Sequence, residues 1–253
     1  MQPFRILSWN IRASMTPRVL DAVCADPAVD LLVLSEYRVP KAGDLVAERL
    51  RTHGWPHAAH ASIPVRQKGV AIFSRHPLRP APHLVAQTHR FAQWIVSVQV
   101  PLADLAVIGA YVPFADGPEK DAVWGALIDA AARNREMALV IAGDFNSCLP
   151  HEADSGRGYT VEPLQRMRRV VTDLWETSVR APTPRDQITW EGPNGKGNRI
   201  DFAFGTPSVV RRVLHAEHRH ALRHGKASDH SGVIVDLSLS PTMLPTRARR
   251  AVP

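Results

Sequence analysis

The stretch LVIAGDFNSCLP, residues 139–150, sets an apolar run against an abrupt polar break. Leu139 to Ala142 contain no polar residue, which is the pattern of a strand covered on both faces. Gly143 interrupts, and Asp144 and Asn146 follow within three residues. Gly, Asp and Asn are turn formers, so the break is explained by a turn alone. It is explained equally well by a strand that delivers a carboxylate and a carboxamide to the rim of a sheet. The surrounding sequence separates the two readings.

Similar apolar runs recur along the chain: 5–9, 31–35, 69–74, 94–100, 105–112, 199–204 and 232–239, with 138–143 as the run just described. They are rich in Val and Ile and bounded by turn residues, which predicts strands, several buried on both faces. Helical patterns fall between some of them. Residues 16–26 open with Thr16 as an N-cap and Pro17 at the first helical position. Residues 43–54 have Asp44 near the start and Gly54 as a stop. Residues 117–134 carry acids early and arginine late, matching the helix dipole. The runs 94–100 and 105–112 are too close for a helical crossover, which predicts an antiparallel pair. Strands mixed with helices, some strands closely spaced, predict an α/β protein: two mixed sheets packed face to face with helices outside. No fixed-period repeat and no long linker divide the chain, so residues 1–240 are expected to form one domain.

Bulk composition narrows the classes. The chain has 253 residues, 45% hydrophobic and 22% charged, ordinary for a globular protein large enough to bury a sizeable core. No apolar run reaches the length of a membrane span. The N-terminal residues lack the long apolar region of a signal peptide, and two cysteines, Cys24 and Cys148, make no disulfide framework, so a cytoplasmic monomer is expected. The net charge of +7 favours a polyanionic partner such as nucleic acid. Part of that excess is local: Arg247, Arg249 and Arg250 sit in a Pro-containing tail, 241–253, whose composition predicts disorder.

Polar residues gather at the strand ends: Asn10, Glu36, Tyr111, Asp144, Asn146, Asp201, Asp229 and His230. Each alone has a plain explanation as a turn residue or a solvated charge. Together they supply hard oxygen ligands suited to Mg²⁺ or Mn²⁺, and a histidine with a carboxylate to orient it. The sequence carries no nucleophile elbow, no P-loop and no zinc-type Cys/His spacing. A carboxylate-held divalent ion and an activated water are the means of hydrolysing phosphate esters.

The strings ILSWNIR, LVLSEYR, GVAIFSR, GAYVPF, LVIAGDFNS, NRIDFAF and SDHSGVIV occur in this order. They resemble the ordered motifs of the endonuclease/exonuclease/phosphatase superfamily, which includes deoxyribonuclease I, exonuclease III and the AP endonucleases. The resemblance runs from residue 5 to about 239 and implies a four-layer α/β sandwich with one active site at the rim of its two sheets. It implies Glu36 as the main ligand of a Mg²⁺ or Mn²⁺ ion, with Asn10 and Asp229 nearby. It implies Asp144 as the residue that orients or deprotonates the attacking water, Asn146 beside it, His230 on the scissile phosphate and Asp201 holding the His230 ring. Tyr111 resembles the tyrosine of the exonuclease III branch, as Trp190 resembles its aromatic. Arg12 and Arg38 are expected to touch phosphates, although Arg38 is equally explained as a surface ion pair.

Some positions depart from the AP endonuclease pattern. Arg12 stands where those enzymes carry an acid, Phe114 where they have asparagine, Asn198 where some place an aromatic, and Ser35 replaces the usual glutamine before Glu36. The expected reaction is divalent-metal-dependent hydrolysis of nucleic acid, DNA before RNA. The alternatives are a phosphoesterase acting on a lipid or small phosphorylated molecule, and a non-catalytic nucleic-acid-binding relative. The His-rich segment 215–230 lacks metal-ligand spacing and is expected to be an exposed strand and loop near the rim. Cys24 is expected in the core and Cys148 in a loop.

Overall fold

The computed structural model describes residues 2–13, 16–38, 45–85, 92–178, 183 and 185–239. Its strands in chain order are β1 (Phe4–Asn10), β2 (Val29–Tyr37), β3 (His57–His60), β4 (Gly69–Ser74), β5 (Arg79–Pro80), β6 (Ile95–Val100) and β7 (Leu105–Tyr111). They continue with β8 (Leu139–Asp144), β9 (Thr172–Asp173), β10 (Trp190–Glu191), β11 (Gly197–Asn198), β12 (Asp201–Gly205), β13 (Val213–Arg219) and β14 (Gly232–Leu237). The helices are α1 (Pro17–Cys24), α2 (Leu45–Thr52), α3 (Pro118–Arg133), α4 (Val161–Val170), α5 (Leu174–Ser178), α6 (Pro207–Val210) and α7 (Ala221–His224).

Two mixed six-stranded sheets result, in the orders β13-β14-β1-β2-β4-β3 and β5-β6-β7-β8-β12-β9, with β10 and β11 as a separate two-stranded ribbon. Period-2 alternation decides which face each residue serves. Ile6, Leu31, Val33, Val70 and Ile72 of the first sheet meet Val96, Val98, Val107, Val140 and Ala142 of the second in a shared inner core. The alternate residues face outward. Leu7, Trp9, Leu32 and Phe73 pack under α1 with Val19, Leu20 and Val23. Ile108, Ile141, Phe202 and Phe204 pack under α3 and α4 with Trp124, Leu127, Leu164 and Met167. The expected four-layer α/β sandwich is therefore present. Among the described residues no helix is long and apolar enough to cross a membrane.

All eight expected strands form, with ends displaced by one or two residues in most cases. The 94–100 and 105–112 runs pair antiparallel as β6 and β7. Thr16 caps α1, its hydroxyl accepting from the Val19 N–H at 3.4 Å. Helix 43–54 is seen from Leu45, and residues 43 and 44, like the tail 241–253, lie outside the described residues. Strands β5, β9, β10 and β11 are two residues long, too short to show a period. The His-rich strand is half-buried rather than exposed, because β13 pairs with β14 and turns His218 inward.

Strand polarity positions the site. β1 runs parallel to β2 and antiparallel to β14, so the C-terminal ends of β1 and β2 share an edge with the start of β14. In the second sheet β7 and β8 are parallel and β12 is antiparallel to β8, so Tyr111, Asp144 and Asp201 stand in register on three adjacent strands. Gly143 makes that row possible. Its φ is +156°, and a Cβ there would lie 1.8 Å from the carbonyl oxygen of Ala110 on β7. The Gly143→Ala variant is expected to lose about 2–5 kcal/mol of stability and roughly 10 °C in Tm, from overpacking and backbone strain together. Gly125 in α3 has open space where a Cβ would go, and Gly125→Ala should leave Tm unchanged or raised. Equal melting of the two variants would show that the close approach at Gly143 carries no strain.

Candidate active site

The two sheets are joined at this edge by hydrogen bonds that cross the sandwich. Asn10 at the end of β1 donates from Nδ2 to Asp144 Oδ2 at 2.8 Å. Ser35 of β2 donates to the Ala110 carbonyl at 3.1 Å and accepts from the Asp144 N–H at 3.3 Å. Asp201 Oδ2 lies 2.9 Å from His230 Nδ1. Tyr111 donates its phenolic hydrogen to Glu36 Oε1 at 3.1 Å. Ser35 is thus a short side chain that reaches both backbones.

Glu36 reaches the site through an irregularity. The pairing of β2 with β4 shifts between Ser35 and Tyr37, and Glu36 has φ +57°. A bulge turns one extra side chain out of the alternation and into the cleft. Asn146 is likewise left-handed, with φ +44°. Its N–H donates to Asp144 Oδ1 at 2.8 Å, and its Nδ2 donates to the Val112 carbonyl at 2.9 Å. The Gly-Asp-Phe-Asn break is therefore a turn that also presents a carboxylate.

Glu36, Tyr111, Asp144, Asn146, Asp229 and His230 line one cavity of about 240 Å³, together with Arg12 and Trp190. Trp190 is half-buried on β10 and donates from Nε1 to Asp229 Oδ2 at 3.3 Å. Arg12 Nε lies 3.7 Å from the same carboxylate oxygen. Phe114 stands 72% exposed at the mouth. Asp201 sits behind His230, Asn10 beneath Asp144, and Asn198 pairs with Trp190. Arg38 is exposed and lies outside the cavity lining.

Three groups in or beneath the cavity wall were not singled out by the sequence. Lys68, just before β4, places Nζ 2.5 Å from Glu36 Oε2. Tyr159 closes one wall. Lys120 of α3 is buried and donates to the Asn146 carbonyl at 3.0 Å and the Phe114 carbonyl at 3.2 Å, holding the floor of the turn. A lysine in an amphipathic helix reads as a surface charge, and only its burial shows otherwise.

Burial lowers the pKa of His230, but Asp201, by charge and by hydrogen bond, outweighs it, with Asp144 and Asp229 adding to the effect; the ring is pushed up to about 9. Burial pushes the Asp144 carboxyl up to about 7, Asp201 adding to the rise, while His230, the Asn146 N–H and Asn10 oppose it. Burial and the charges of Glu36 and Asp144 push the Tyr111 phenol well above its usual range, so it keeps its proton. Asp144, Asp201 and His230 bring ligand atoms within 4.8 Å of one another, but the His230–Asp201 bond already engages Nδ1. A divalent cation is better served by the half-open carboxylates of Glu36 and Asp229. Glu36 binds one cation already, the Lys68 ammonium, and both its contacts are donors. The oxygen-donor set thus fits a hard cation. In a second acidic group, Glu152, Asp173 and Glu176 each pair with both Arg168 and Arg199, so their oxygens are already engaged by guanidinium donors.

The two-sheet fold, with polar side chains gathered at one strand edge, has counterparts among known proteins. Residues 7–230 match the Endonuclease/Exonuclease/phosphatase family, and the chain belongs to it. Among solved structures it resembles a 3'-5' exonuclease from Neisseria meningitidis, at 22% identity and TM-score 0.76, covering 93% of this chain and 100% of that one. A structure of a 3' phosphatase from Neisseria bound to a product DNA hairpin gives 21% identity and TM-score 0.73, covering 93% and 99%. An AP endonuclease from Archaeoglobus fulgidus gives 16% and 0.70, covering 93% and 99%. No curated protein sequence matches the chain.

His230 in the metal-free protein should titrate near 9 against an ordinary value of 6.5. Because the folded value is the higher one, the His230–Asp201 pair adds stability below about 6.5, and that gain fades as pH rises through about 9. In Asp201→Asn the ring loses its main charge partner, and its pKa should fall, burial now opposed only by Asp144 and Asp229. A histidine NMR titration checks this. An unchanged His230 pKa in Asp201→Asn would show that Asp201 does not hold the proton.

Proposed function

We propose that this protein hydrolyses phosphodiester bonds of nucleic acid, DNA in preference to RNA, by in-line attack of water. The observation that carries the reading is the register of Tyr111, Asp144 and Asp201 across three strands, which sets Tyr111 and Asp144 facing Glu36 and His230 around one cavity, with Asp201 behind the His230 ring. A phosphodiester is anionic and resists a nucleophile, so catalysis depends on offsetting charge as it builds. Glu36, Asp229 and the side-chain Oδ1 of Asn10 would hold a Mg²⁺ or Mn²⁺ ion, which supplies Lewis-acid stabilisation of phosphate charge when bound. His230, charged at neutral pH, offers its Nε2 hydrogen to a non-bridging oxygen while Asp201 fixes the ring. Asp144, held by Asn10 and the Asn146 N–H, aligns the water and takes its proton. Its raised pKa suits that exchange near neutrality. Tyr111 keeps its hydroxyl hydrogen and steadies phosphate or leaving-group oxygen.

The substrate class follows from charge and from the rim. The net charge of +7, with Arg12 and Lys68 in the cavity, suits a polyanion, and Trp190 and Phe114 offer aromatic faces to bases. Phe114 and Asn198 depart from the AP endonuclease pattern, so preference for abasic sites is expected to be weak. The solved relatives described as acting on DNA support this reading.

Purified protein with Mg²⁺ or Mn²⁺ should cleave single- or double-stranded DNA, and EDTA should abolish cleavage. His230→Ala and Asp144→Asn should each lower turnover by about two or more orders of magnitude, the usual loss for a transition-state donor or a general base. Glu36→Gln, assayed alongside, ties any cleavage to this site. Hydrolysis of an inositol phosphate or sphingomyelin, dependent on Glu36 and with every nucleic acid left intact, would overturn the nuclease reading. Binding of DNA without hydrolysis under any metal or pH would favour the binding relative.

The aromatic and basic rim also sets an expected salt response. Affinity for DNA should fall steeply as salt rises, since each phosphate contact releases counterions. Fluorescence anisotropy of labelled DNA across a salt series measures it. A flat response would mean that phosphate contacts do not carry binding.

A further inference from the structure

The Glu36 carboxylate is shared between two donors among the described residues. The Tyr111 hydroxyl takes Oε1 at 3.1 Å, and the Lys68 ammonium takes Oε2 at 2.5 Å. Lys68 belongs to the segment RQKG, 66–69, and lines the catalytic cavity. Gly69 pairs with Tyr37 across the β2 bulge that turns Glu36 into the cleft, which sets the preceding residue opposite Glu36. The backbone there is fixed by close packing: a Cβ on Gly69 would lie 2.5 Å from the Gln93 carbonyl oxygen and 2.5 Å from Ile63. The Lys68 side chain is freer. It is 37% exposed, against 14% for Glu36, and Glu36 is its one partner among the described residues.

A structural role accounts poorly for this lysine, because an ion pair so open to water adds little stability. Lys120 shows what a structural lysine looks like in this fold. It is 1% exposed, and it donates to Asp116 and to the carbonyls of Phe114 and Asn146. Lys68 instead carries a compact charge on a flexible stem, and it rests on the carboxylate that the proposed chemistry gives to a divalent ion. The ammonium covers Oε2, so a hard cation coordinated by that oxygen displaces it. Within the cavity the other carboxylates are already engaged. Asp144 accepts from Asn10 and from two donors of Asn146, and Asp229 accepts from Trp190 beside the Arg12 guanidinium. The anion still without a partner is the phosphodiester that enters as substrate.

We infer that Lys68 is a further catalytic residue: it yields Glu36 to the divalent ion and donates instead to a non-bridging oxygen of the scissile phosphate. The inference rests on the proposed phosphodiester hydrolysis and deepens it. No covalent bond forms or breaks at Lys68. The ammonium keeps its protons and changes its acceptor from carboxylate to phosphate. Before substrate arrives, Lys68 competes with the ion for Glu36. With substrate in place, it offsets charge on the phosphate as that charge builds.

The test uses the intact chain with ¹³C-labelled lysine. The chain has five lysines, so the ε-methylene signals are few, and that of Lys68 is assigned by its loss in Lys68→Arg. Mg²⁺ is titrated first, and then dimethyl phosphate, a diester that resists hydrolysis, at saturating Mg²⁺. The Lys68 signal should shift saturably in both steps. Mn²⁺ binding without substrate, read by electron paramagnetic resonance of the free ion, should be about tenfold tighter in Lys68→Met than in the wild type. Arg38→Met, which removes an exposed cation two residues from Glu36, should bind Mn²⁺ as the wild type does. With Mg²⁺ saturating, Lys68→Met should lower kcat/KM for octathymidylate about tenfold or more, and Lys68→Arg should retain part of it. A Lys68 signal indifferent to Mg²⁺ or to dimethyl phosphate overturns the inference. An equal gain in Mn²⁺ affinity in Lys68→Met and Arg38→Met overturns it too, since general charge then explains the effect. So does an unchanged kcat/KM in Lys68→Met. The titrations decide the matter even where Lys68→Met fails to fold. If no nucleic acid is hydrolysed, the nuclease reading falls, and the Mg²⁺ and dimethyl phosphate titrations still decide the place of Lys68.

Discussion

The hydrogen bond from Asn10 to Asp144 ties the end of one sheet to the end of the other, and the site is organised around it. Elsewhere the facing sheets meet through Val, Ile, Leu and Ala, which pack well in more than one register. Polar groups are less forgiving. Asp144 is buried, and a buried carboxylate without donors is strongly disfavoured. Its donors come from both sides: Asn10 in the first sheet, the Asn146 N–H in its own turn. Hydrogen bonds to a charged group contribute about 1.5–3 kcal/mol each. Ser35 and the Asp201–His230 pair repeat the cross-link, so sliding one sheet along the other breaks several contacts together.

The same edge concentrates unusual backbone. Glu36, Asn146 and Gly143 all have positive φ, and all lie at or beside the cavity. Such conformations cost about 1–3 kcal/mol each for residues with a side chain and persist where the surroundings impose them. Here the bulge in β2, the close approach of Gly143 to β7 and the Lys120 bonds beneath Asn146 impose them. The strain turns side chains out of the sheet alternation and into the cleft. Electrostatics reinforce the arrangement. Lys68 sits on Glu36, and His230 is charged between Asp201 and Asp144.

Support also comes from behind. Arg199, two residues before Asp201, is buried and pairs with Glu152 and Asp173, while Arg168 bridges the same acids and Glu176. Trp175 stacks on His218 at 4.5 Å between ring centres, and the Arg199 guanidinium lies 4.4 Å from the Trp175 ring. His218 also bonds the Asp186 carbonyl, and burial holds its pKa well below the usual histidine value. The histidines of this segment that turn inward are thus packing elements, which a count of histidines in the sequence does not convey. Cys148, expected in a loop, is also fully buried, bridged to Tyr159.

The sequence by itself determined the eight apolar strands, because runs such as Leu139–Ala142 and Val70–Phe73 are apolar without a break, and that pattern is local. It determined the α/β class, because helices and closely spaced strands alternate. Through the ordered motifs it pointed to Asn10, Glu36, Tyr111, Asp144, Asp201 and His230, since each directly ends or begins a recognisable run. What it did not contain was the meeting of these residues. Tyr111, Asp144 and Asp201 share a row because β12 runs antiparallel to β8, and polarity is a property of the pairing rather than of either strand. Lys68 and Lys120 read as ordinary surface cations, and only tertiary packing placed one on Glu36 and one beneath Asn146. Burial and pairing over long sequence separation set the charge state and reach of these groups. Neither is encoded within a window of the chain.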